Sequence, residues 1–73
     1  MMNTDEKLVY MANQIASFFV SQGEAKAVPA IADHIRKFWD PEMRRRFVEQ
    51  SEKPNIELHP YVREAVNLLK QTA

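Results

Sequence analysis

Apolar residues recur at helical spacing along most of this chain. Leu8, Met11, Ala12, Ile15, Phe18 and Phe19 fall, at about 100° per residue, within an arc of about 120°, the width of a core-facing stripe. Tyr10, Asn13, Gln14 and Ser17 lie outside it. Asn3 followed by Glu6 fits a capping-box-like start, with Thr4 and Asp5 as competing caps. Gly23, the chain's one glycine, stands where a helix C-cap is expected. A first helix over about 4–21 follows from these signals.

A second stripe, Val28, Ile31, Ala32, Ile35, Phe38 and Trp39, predicts a helix over about 24–39. Its start falls between Glu24 and Val28, because Pro29 suits a first turn and removes a hydrogen bond if it lies deeper. Asp33, Arg36 and Lys37 point away from the stripe, and His34 is at its edge. Each member of one stripe lies 20 residues from its counterpart in the other. The connection between them is short, which predicts an antiparallel αα-hairpin with Ala12 and Ala32 permitting close approach.

Asp40-Pro41 is the next boundary. A residue before proline is driven out of the helical region, proline suits the first helical position, and Asp suits the N-cap. A third helix is expected over about 41–52, with Met43, Phe47 and Val48 facing inwards. Lys53-Pro54-Asn55 ends it, and Ile56 and Leu58 pin an extended connector to the core. His59-Pro60 opens a fourth helix over about 60–70, His59 in an N-cap-like place. Val62, Ala65, Val66 and Leu69 share one side of it, flanked by Tyr61 and Leu68. Met1, Met2 and the tail Gln71-Thr72-Ala73 are expected to fray. No segment alternates with period two, so the fold class is all-α: a small bundle of four helices in one domain.

Composition narrows the function. A chain of 73 residues buries only about 60% of its unfolded surface, so its core is marginal. It has no cysteine, hence no disulfide and no thiolate metal site. Helix packing, self-association or a larger partner must supply the missing stability. Ten basic and ten acidic residues cancel, which is not the footprint of a general nucleic-acid binder. The charge is uneven, however: residues 34–46 carry five bases against two acids, while the segments before and after are net acidic. A basic knuckle on a neutral chain suits an acidic protein patch better than a phosphate track. No apolar run approaches the roughly 20 residues that span a membrane, and the acids Asp5 and Glu6 break any secretory signal. A cytoplasmic location is expected.

Catalytic constellations are missing. His34 and His59 sit on different elements and in no metal-ligand pattern, so they read as a helix-flank residue and a cap. Ser17, Ser21 and Ser51 have no elbow or triad context, and one glycine makes no phosphate loop. No catalytic residue, cofactor or metal is therefore assigned. Arg44, Arg45 and Arg46 fan across about 200° of a helix, so at most two share a face. Adjacent Phe38 and Trp39 diverge by about 100°: Trp39 falls nearer the stripe's centre and reads as core, and Phe38, with Tyr10 and Tyr61, as partly exposed.

The run His34-Ile35-Arg36-Lys37-Phe38-Trp39-Asp40-Pro41 with Met43-Arg44-Arg45 is the most specific part of the sequence. It is preceded by Met11-Ala12-Asn13-Gln14-Ile15 with Phe18-Phe19, and followed by Leu58-His59-Pro60 with Val62 and Ala65. In this order and spacing, from about Leu8 to Leu69, the chain resembles the small delta subunit of NAD-dependent, molybdenum-containing formate dehydrogenases. Pro29 and Glu42 depart from that pattern. The resemblance implies a cofactor-free accessory subunit. Larger subunits would carry the molybdenum centre, iron–sulfur clusters, flavin and NAD site, and this chain would bind the large catalytic subunit and support assembly, cofactor loading or stability. The partner-binding residues it points to are Arg36, Lys37, Phe38, Trp39, Asp40, Arg44 and Arg45. In that reading Asp40 caps the third helix, Trp39 locks the bend and the bases meet carboxylates. Two other readings stand beside it: a homodimeric helical adaptor, and a small nucleic-acid-binding regulator.

Overall fold

Four α-helices run through the computed structural model, which describes residues 3–71: α1 (Thr4–Phe19), α2 (Glu24–Phe38), α3 (Pro41–Ser51) and α4 (Pro60–Gln71). No strand occurs among the described residues. The expected fraying of Met1, Met2, Thr72 and Ala73 lies outside them, whereas Gln71 still belongs to α4.

The helix ends follow from local chemistry. Asn3 caps α1, its side chain accepting from the Glu6 N–H at 2.8 Å. The first helix is shorter than the spacing predicts, since Val20–Gln22 tighten into a 3-10 turn before the chain reverses at Gly23. Gly23 has φ +86° and ψ 155°, a conformation that side chains rarely adopt. Its carbonyl accepts from the Lys26 and Ala27 N–H groups, so α2 begins at once. That places Pro29 inside α2 on its exposed side, where its lack of an N–H leaves one helix carbonyl without its usual donor. Trp39 and Asp40 are both extended, as the residue before a proline requires, and the Asp40 carboxylate accepts from the Met43 N–H at 2.8 Å. At α4 the His59 carbonyl accepts from Val62 and Arg63, and its Nδ1 accepts from the Tyr61 N–H at 3.0 Å. His59 is thus the cap its place before Pro60 implies.

Phe47, Ile31, Ile35 and Val62 are the largest fully buried side chains, one or two from each of α2, α3 and α4. Broad packing of α2 on α4, with α1 laid across α2, α3 and α4, closes the core. Glu24 meets Glu64 near the start of α2, and Arg36 meets Leu68 near its end, so α2 and α4 run in the same sense. Helix α3 and the 52–59 connector carry the chain back between them. The hairpin helices α1 and α2 do pack together, but the broadest interface of α2 is with α4.

The buried face of α1 differs from its most apolar stripe. Leu8, Ala12 and Ile15 are buried as expected, but so are Val9 and Ala16, while Met11 and Phe18 are exposed. The buried arc is rotated by about 60° from the sequence stripe. The side chains that bring it round are Asp5 and Asn13. Asp5 contacts Arg46 and Gln50 of α3, and Asn13 bonds the connector. Ala16, fully buried, allows close approach on that side. In α2 the exposed member of the stripe is Phe38, with Ala27 buried instead. In α4 the predicted positions Val62, Ala65, Val66 and Leu69 are all buried.

Candidate partner-binding surface

The bend between α2 and α3 distributes the seven singled-out residues over three environments. Trp39 is only 5% exposed and meets Phe47 edge to face at 5.4 Å between ring centroids. It locks the bend to the core and presents no surface to a partner. Asp40 is spent on capping α3. Phe38, the last residue of α2, stands 71% exposed against the His34 ring at 4.7 Å, which in turn meets Phe19 at 6.4 Å.

The basic residues separate as the fan of a helix dictates. Arg46 turns to α1 and pairs with Asp5 at 3.0 Å. Arg45 lies between Glu42 and Glu49, at 2.6 and 2.5 Å. Its hydrogen bond to Glu42, with the charges of Glu42 and Glu49, raises its pKa above the ordinary value. Lys37 pairs with Asp33 at 3.0 Å one turn back on α2, well exposed. Exposed pairs of this kind contribute little to stability. Arg36 is half-buried and donates to the Leu68 carbonyl at 3.0 Å, tying α2 to the last turn of α4, where a cation is favoured by the helix dipole. For Arg44, half-buried on α3, no carboxylate partner occurs among the described residues.

Arg36, Arg44 and Arg45 come together at the rim of one groove of about 550 Å³, where the ends of α2 and α4 meet the outer side of α3. Pro41, Val48 and Leu69 supply its apolar surface, and Lys70 and Glu49 complete the rim. Four cationic side chains therefore face one carboxylate around an apolar floor. Lys37, Phe38, Trp39 and Asp40 are not among the lining residues. Lys70 and Leu69 were invisible as site residues in the sequence. They read there as a helix end and a core position, and only the parallel course of α2 and α4 brings them to Arg36.

Among the described residues, no three His, Asp or Glu side chains gather as a metal-ligand set. His34 packs against Phe19 and Phe38, and His59 caps α4. A hydrogen bond between the Glu64 and Glu24 carboxyls, with burial and the charge of Glu24 adding to it, raises the Glu64 pKa. That carboxyl pair joins α2 to α4 away from the groove. No described helix is long and apolar enough to cross a membrane.

Fold and surface together define a small all-α module with a basic-rimmed apolar groove. Residues 7–66 match the model of the NADH-dependant formate dehydrogenase delta subunit family, FdsD, and the chain belongs to that family. No curated protein and no solved structure matches it.

Proposed function

We propose that this chain is a non-catalytic accessory subunit that binds the catalytic subunit of a formate dehydrogenase and supports its assembly, cofactor loading or stability. The observation that carries the reading is the family match over residues 7–66. The site geometry supports it: the polar side chains near the bend cap helices, pair with neighbours or rim a groove. Side chains that are committed in this way hold a shape and offer a surface. The family description speaks for association with the enzyme complex and gives no support to a homodimer.

The experiment is co-expression of the tagged chain with the large formate dehydrogenase subunits, followed by pull-down and molybdenum analysis of enzyme made with and without it. Co-purification, with less molybdenum or a less stable enzyme in its absence, is the expected result. Absence of association with both cofactor-loaded and cofactor-free large subunit would remove the accessory reading.

A further inference from the structure

The groove at the joined ends of α2, α3 and α4 is more selective than a basic patch. Arg45 is held by Glu42 and Glu49, and Lys70 lies 3.2 Å from Glu52, so their charge is largely answered within the chain. Arg36 is engaged by the Leu68 carbonyl, which leaves Arg44 as the lining cation for which neither a side-chain hydrogen bond nor an ion pair is found among the described residues. It stands on α3 one turn before Val48, the spacing that puts two side chains on one helical face. Next to one available guanidinium, then, lies an apolar floor of Val48 and Leu69. A nucleic acid would need several available cations tracking successive phosphates, whereas here Arg45 and Lys70 are paired with carboxylates and Arg36 is held on a carbonyl. Its apolar floor calls for a side chain that can leave water, and the guanidinium calls for a carboxylate beside it.

Resting on the accessory-subunit reading above, we propose that this groove seats a short acidic–apolar segment of the enzyme's large subunit. An apolar side chain enters over Val48 and Leu69, and an Asp or Glu carboxylate on a neighbouring residue meets Arg44. Lys70 and Arg45, each already paired, shape the border, and a basic segment is rejected because its charge would oppose Arg44.

The test uses the tagged chain co-expressed with the large subunits. Arg44→Glu is expected to lower the amount of large subunit captured by roughly tenfold or more, through like-charge opposition. Arg44→Lys is expected to retain most of it, and Lys26→Glu, the same charge change on the exposed side of α2, to leave it unchanged. Circular dichroism and melting of each variant establish that it is folded. Independently, p-benzoylphenylalanine placed at position 49 on the groove's rim should cross-link to a large-subunit peptide carrying Asp or Glu next to an apolar residue. Capture of large subunit by folded Arg44→Glu at the wild-type level would overturn the groove assignment while leaving the accessory role standing. So would cross-linking to a basic segment, to the large subunit's terminal carboxylate, to nucleic acid or to a second copy of this chain. Failure of the wild-type chain itself to capture large subunit would remove both.

Discussion

The Asn13 side chain bonds the backbone on both sides of Leu58: its Oδ1 accepts from the His59 N–H at 2.9 Å and its Nδ2 donates to the Glu57 carbonyl at 3.0 Å. One amide thus plays the part of a neighbouring strand for a connector that has none. It holds half-buried Leu58 against the core and sets His59 where its ring can cap α4. Asn13→Ala removes both bonds, and a destabilisation of about 1–3 kcal/mol is expected, since each is worth about 0.5–1.5 kcal/mol. Asn13→Asp keeps the acceptor and loses the donor, so it should fall between. Urea melts of the three proteins decide the matter, and identical midpoints would mean the connector is held by Ile56 and Leu58 alone.

Gly23 gives a cleaner test of backbone strain. A Cβ added there would meet nothing within 4 Å, so any cost of Gly23→Ala comes from its φ of +86°. Such a conformation costs a non-glycine residue about 1–3 kcal/mol. The melting temperature of Gly23→Ala should drop accordingly, with its helical circular dichroism preserved below the transition. An unchanged melt would show that the junction between α1 and α2 relaxes to a negative φ without loss.

Asp40 caps α3 through the Met43 N–H at 2.8 Å, and Asp40→Ala is expected to cost about 1 kcal/mol as a lost cap. Because the bend positions Arg36 before it and Arg44 after it, the same variant should also capture less large subunit. Asp40→Asn, which can still accept that bond, should restore both. Unchanged melting together with unchanged capture would separate the cap from docking.

The Glu24–Glu64 pair predicts a pH dependence of defined sign. The Glu64 carboxyl binds its proton more tightly in the folded chain than at its ordinary value of 4.5, first through the hydrogen bond to Glu24. Its contribution is therefore full below that value and is lost as pH rises through the raised one. Glu64→Gln removes the dependence. The variant should gain on the wild type with rising pH, and the difference should close again in acid. Denaturation midpoints measured side by side from acid to neutral pH would show this, and a constant offset would refute it.

Helix boundaries were legible in the sequence because their causes are local. Asn3, Gly23, Asp40-Pro41 and His59-Pro60 each act on backbone groups within four residues, and each end lies within about two residues of the position they mark. The buried sides of α2 and α4 were legible for a related reason: both helices have one strongly apolar face, and a small core has use for both. The central block from His34 to Arg45 also carried the family, which the match over residues 7–66 bears out.

The sequence could not say which side of α1 would be buried, because α1 offers apolar residues over more than half its circumference. The choice fell to distant partners, Arg46, Gln50 and the 57–59 backbone, which engage Asp5 and Asn13 and leave Met11 and Phe18 exposed. Nor could it separate the arginines by role. Arg46 found Asp5, Arg45 found Glu42 and Glu49, and Arg44 was left beside a groove that exists only because α2 and α4 end together. Caps and proline boundaries are decided by forces that act along a few residues of chain. Faces, ion pairs and grooves are decided by which helices meet, and that is settled only when the whole core closes.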